Sequence, residues 1–102
     1  MLPRIAWIDV ETNGLTPNDG AMLLELAAVI TDSNYTEIDS IETIFSFDEA
    51  TVEALRDDSI PFVRTMHDNT GLWYRLTASD NATYEEFDEL FSAWLRSRSE
   101  DS

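Results

Sequence analysis

Asp9 and Glu11 stand one residue apart in "WIDVETNGL", residues 7–15, where an apolar run passes straight into acid and then into a turn. On an extended strand, residues two apart project to one face, so this spacing sets two carboxylates about 7 Å apart at their backbones. Oxygen donors in that arrangement suit hard divalent cations such as Mg²⁺ or Mn²⁺. Spacing alone decides little, because at this acidic content about four acid-x-acid pairs arise by chance. Three occur, Asp9/Glu11, Glu37/Asp39 and Glu86/Asp88. Context separates the first. Asp9 follows Trp7 and Ile8 on the most strand-like run in the chain, and a carboxylate in an apolar setting needs a partner or has a task. Two readings stay open from the residues: a metal site, or a structural pair satisfied by the turn amides of "TNG".

The elements that must position this pair follow from the apolar pattern. "RIAWIDVE" is a short run of β-formers bounded by Pro3 and by the turn residues of "TNGLTPNDG", and it reads as a buried strand. "MLLELAAVITD" is apolar at alternating and intervening positions, as in a central strand, and "IDSIETIFSF" predicts a third strand with a bulge. Short connections between successive strands favour an antiparallel meander. The period then changes. Asp48 caps a helix through "EATVEALRD", Pro61 opens another at "PFVRTMH", and "DNTG" breaks it before "LWYRLTAS". The last helix is the clearest, with a Thr83/Glu86 capping box and Phe87, Leu90, Phe91, Trp94 and Leu95 at i, i+3, i+4, i+7 and i+8. Its aromatics predict core. The expected organisation is one α+β unit with the strands first, over residues 1–95, and a polar C-terminal tail over 96–102.

Composition limits what such a unit can do. The 102 residues with 43% apolar content hold one modest core. There is no cysteine, which removes disulfides and thiolate metal sites and fits a reducing compartment. No apolar run approaches a membrane span and the N-terminus lacks a signal-peptide core, so the expectation is a cytoplasmic protein with no membrane partner. Acidic residues number 21 against six basic ones, all arginine, for a net charge of −15. A field of that sign repels nucleic acid, so phosphate contact has to run through metal rather than a basic patch.

At these residues the chain resembles a known family. "WIDVETNGL" is similar to the first motif of the four-carboxylate 3′→5′ exonucleases with a ribonuclease H-like fold, and Trp7 is typical of the oligoribonucleases among them. "LLELAAVITDSNY" resembles their second strand. "PFVRTMHDNTGLWYRL" resembles their "HTASGL"-type segment, with Met66, His67, Gly71 and Leu72 in step. The resemblance implies two-metal phosphodiester hydrolysis of short oligoribonucleotides, down to dinucleotides, with Mg²⁺ or Mn²⁺ held by Asp9 and Glu11. It implies substrate contacts from Leu15 as a wedge against bases, Phe62 in place of a stacking tryptophan, and His67 near the substrate phosphate or sugar. Phe62 keeps a stacking face of smaller area. Outside the resemblance, Leu15 and Phe62 read as packing residues and His67 reads as a helix-end residue, while Glu25 reads either as a supporting residue that lines the site or as an edge carboxylate paired with an arginine.

The family's remaining metal-binding aspartates and general-base histidine belong to later motifs that have no counterpart here, so the implied fold is truncated, the two-ion site is incomplete, and the first or third strand is left as an open edge. Three possibilities follow: a part whose complement is a separate chain, an inactive remnant, or an acidic interaction module. Family members are commonly homodimers.

Overall fold

A computed structural model describes residues 3–14 and 21–99. Strands β1 (Ile5–Thr12), β2 (Leu23–Thr31) and β3 (Glu37–Ile44) precede helices α1 (Glu49–Asp58), α2 (Pro61–Thr70), α3 (Leu72–Arg75) and α4 (Tyr84–Ser99). The sheet order is β1-β2-β3 with both pairings antiparallel, the expected meander. The expected irregularity of β3 is a register shift opposite Ile30 and Thr31.

The apolar content of β2 makes it the centre of the sheet. Leu24, Leu26, Ala28 and Ile30 are all buried and share one face. Phe87 and Trp94 of α4 close over Leu26, Ala28 and Ile30 together with Phe45. Full burial of each large side chain contributes about 1.5–3 kcal/mol. Leu90, expected in this stripe, is 57% exposed. The contact line follows Phe87, Phe91 and Trp94, and Leu90 lies to one side of it. A second cluster joins Leu24 to Val52, Leu72, Trp73 and Leu76 and seats the short helices at one end of the sheet.

Local chemistry fixes the helix ends. Asp48 accepts the Thr51 amide at 2.7 Å at the start of α1, a cap of about 1 kcal/mol. The capping box of α4 is reciprocal, with the Thr83 amide donating to Glu86 at 3.0 Å and the Glu86 amide donating to Thr83 Oγ1 at 3.2 Å. Helix α2 continues past His67 to Thr70 rather than breaking at "DNTG". Asp68 is held there by two 2.9 Å bonds from Arg56 of α1, and Gly71, at φ 75°, makes the stop. Helix α4 also outruns its apolar stripe and extends through Ser99, so residues expected in the tail are helical that far. Arg98 explains the extension by donating to Asp39 at 2.6 Å, beside the 3.1 Å bond from Trp94 Nε1.

Strand β1 departs most from its sequence pattern. The buried strand of the expectation is an exposed edge, with Ile8 55%, Trp7 49% and Val10 40% accessible. Helix α4 covers β2 and β3, and no described element lies beyond β1.

Candidate active site

Register places the acidic pair on a defined face. Asp9 lies opposite Ala27 and Glu11 opposite Glu25, and opposed residues of an antiparallel pair share a face. Trp7, Asp9 and Glu11 therefore project to the face of the sheet opposite α4, the face on which Arg75 of α3 meets Glu25. Asp9 is exposed and Glu11 half-buried. Exposure removes the desolvation penalty that a buried pair would carry.

The two readings of the pair can now be compared. The Gly14 amide of the "TNG" turn donates to Thr12 Oγ1 at 3.0 Å. The Asn13 side chain is fully buried and accepts the Met22 amide at 3.1 Å, pinning the two sides of the loop. The turn is satisfied by its own side chains, and neither Asp9 nor Glu11 takes a partner among the described residues. The pair is two free carboxylates, an oxygen-only donor set of the kind hard divalent ions prefer. Among the described residues no third acidic or histidine side chain completes a cluster. Glu25, directly across from Glu11, faces Arg75 at 4.0 Å, so it has the expected arginine partner but sits on the central strand rather than at an edge.

The remaining candidates scatter. Phe62 stands at the start of α2 with its ring 76% exposed. Leu15 lies outside the described residues. His67 is 1% exposed, and its Nε2 donates to the Thr12 carbonyl at 2.6 Å while the ring packs edge-on against Trp73 at 5.1 Å. His67 lies in the last turn of α2, as the helix-end reading expects, and is buried there rather than facing solvent. Its bond ties α2 to the last residue of β1, one position beyond Glu11. Asn13 and Gly14 were missed as organisers of the site. Gly14 has φ 80°, and an added Cβ would meet Val63 at 2.6 Å. The Asn-Gly pair after a strand was the available signal.

The surrounding ion pairs are ordinary surface contacts with clear polarity. The Arg56 guanidinium beside Asp68 holds that carboxyl below its usual range. Arg64 donates to the carbonyls of Arg56 at 3.0 Å and Asp57 at 2.8 Å, closing the C-terminus of α1.

No family model matches the chain. It is 35% identical over 79 residues to an oligoribonuclease of Streptomyces avermitilis. The chain is oligoribonuclease-like. The match takes in 76% of this chain and 37% of the relative, so this oligoribonuclease-like chain spans little more than a third of that protein's length. No described helix is long and apolar enough to cross a membrane.

Proposed function

We propose that this chain carries the first-motif part of a metal-dependent 3′→5′ exoribonuclease acting on short oligoribonucleotides, on a truncated ribonuclease H-like fold. The carrying observation is a pair of carboxylates on one face of β1 without a partner among the described residues, in a chain 35% identical over 79 residues to an oligoribonuclease. Asp9 and Glu11 would hold Mg²⁺ or Mn²⁺. A bound ion of this kind supplies a water of lowered pKa and a counter-charge to phosphate, which an acidic protein of net charge −15 needs to approach RNA at all. Phe62 offers an exposed ring for a base, contact that is indifferent to sequence. His67 is a positioning residue in this reading: buried, it fixes the backbone at Thr12 and so the direction in which Glu11 leaves the strand. Leu15 keeps its role as a base wedge by resemblance only.

Two carboxylates hold metal weakly, and absence of a positioned general base typically costs about 10²- to 10⁴-fold in rate. The 102-residue chain alone is therefore expected to trim a labelled RNA dinucleotide poorly in Mn²⁺. Addition of the portion of the Streptomyces avermitilis protein outside the match should restore trimming, and Asp9→Ala should abolish it. Ordinary-rate cleavage by the chain alone overturns the ligand count on which this reading stands. An acidic interaction module is the second reading, favoured by the exposed apolar side chains of β1. RNA-independent partner binding that survives a chelator and Asp9→Ala but weakens with salt would select it.

A further inference from the structure

The fold leaves the hydrogen-bonding capacity of Arg75 unused. A guanidinium presents a rigid fork of N–H donors that matches carboxylate and phosphate. Arg4 donates to the Arg98 carbonyl, Arg56 to Asp68, Arg64 to the carbonyls at the end of α1, and Arg98 to Asp39. Arg75 forms no side-chain hydrogen bond among the described residues, and its contact with Glu25, at 4.0 Å, is an ion pair too long to be one. A partly exposed pair of that length contributes little to stability. The backbone beneath it is fixed. Leu72, Trp73 and Leu76 are buried in the second core cluster, and Asn81 Nδ2 donates to the Arg75 carbonyl at 2.6 Å. From this rigid base the side chain reaches the face of the sheet that carries Asp9 and Glu11, since Glu25 stands opposite Glu11. Opposed residues lie about 4.5–5.5 Å apart at Cβ, which sets the guanidinium one carboxylate beyond Glu11. Arg75 and Glu25 also line a cavity of about 370 Å³, with Glu42, Thr43, Asp80 and Asn81. Three carboxylates against one guanidinium repel a bare anion. A phosphate comes within reach of Arg75 only with counter-charge at hand, which a divalent ion held by Asp9 and Glu11 would supply.

We propose that Arg75 is a substrate-binding residue that donates to a non-bridging oxygen of the RNA phosphodiester brought to Asp9 and Glu11, and that Glu25 is the contact it gives up in doing so. This role rests on the exoribonuclease reading of the acidic pair. A guanidinium–phosphate contact is charge-assisted and directional, so it outweighs the 4.0 Å pair that it replaces. Glu25 then competes with the phosphate for the same donors and steadies the side chain while the cavity is empty of RNA. A surface ion pair with no further role would give both partners the same sign, since loss of either would leave RNA binding untouched. Phosphate binding gives them opposite signs.

The test measures binding of an RNA dinucleotide, and of its neutral methylphosphonate analogue, to the 102-residue chain in Mg²⁺, through the NMR shifts of the Arg75 side-chain N–H and the β2 amides. Arg75→Gln is expected to weaken dinucleotide binding about tenfold, the size of one charge-assisted bond. Arg75→Lys should fall between the two, because it keeps the charge and loses the fork. Glu25→Gln is expected to tighten binding about threefold, as a competing exposed ion pair is removed. The methylphosphonate should bind wild type and Arg75→Gln alike. Dinucleotide binding that is unchanged in Arg75→Gln, weakened in Glu25→Gln or absent from the wild type overturns the proposal, and so does equal weakening for the methylphosphonate. Binding that survives a chelator and Asp9→Ala yet still depends on Arg75 removes the metal-dependent reading and keeps the phosphate contact. Binding that needs Mg²⁺ and Asp9 but not Arg75 does the reverse.

Discussion

Two residues next to the end of β1 can each be tested by stability. His67 donates its Nε2 proton to the Thr12 carbonyl from a fully buried position against Trp73. His67→Ala leaves that carbonyl unpaired and opens a cavity, for an expected loss of about 3 kcal/mol measured by urea unfolding. His67→Gln, which can still donate, should recover part of it. Gly14 adopts φ 80° with Val63 directly in the path of a Cβ. Gly14→Ala is expected to cost about 1–3 kcal/mol through strain and overlap, whereas Gly14→Ala with Val63→Ala should lose only the strain and cavity parts. Asp39 provides the pH dependence. The Arg98 guanidinium, then the Ser40 amide and the Trp94 indole, hold its carboxyl below the ordinary value of 3.8. A carboxyl depressed by folding stabilises the native state above its unfolded pKa, and that stabilisation is lost as pH falls through the folded pKa. Urea midpoints of wild type and Asp39→Asn should therefore differ near neutral pH and converge as the pH falls from 3.8 through the lowered folded pKa. A constant difference across that range would show that the Arg98 contact contributes nothing pH-linked.

At the level of elements, the sequence was legible wherever a pattern reports a local cause. The capping box at Thr83 and Glu86, the Asp48 cap and the apolar centre of β2 each specify their structure through neighbours in the chain, and each is present as expected. Burial of β1 was not legible, because its apolar residues describe the layer they are suited to meet rather than the layer the described residues supply. Helix ends were blurred for a related reason. Asp68 and Arg98 extend α2 and α4 through contacts with Arg56 and Asp39, partners 12 and 59 residues away, which no local pattern contains. The burial of His67 was hidden for the same reason, since its ring nitrogen bonds Thr12, 55 residues away. Element stability should follow this division. Amides of β2 at Leu26, Ala28 and Ile30 are expected to exchange far more slowly than those of the β1 edge, as native-state exchange by mass spectrometry or NMR would show. Equal protection of the two strands would mean that β1 is covered in solution by something the present chain already provides.

For the molecule as a whole, α4 covers one face of the sheet and Asp9 and Glu11 stand on the other, with no partner among the described residues, in a chain of net charge −15. The similarity to an oligoribonuclease takes in 76% of this chain and 37% of the relative. The account depends on whether this pair selects divalent ions over the acidic surface at large, which includes Glu85, Glu86 and Glu89 on α4. Paramagnetic broadening of NMR signals at substoichiometric Mn²⁺ measures this directly. Signals of Asp9, Glu11 and their neighbours Glu25 and Ala27 are predicted to broaden first, with Asp9→Ala abolishing that preference. Broadening spread evenly over the acidic surface, or unchanged in the Asp9→Ala variant, would contradict it.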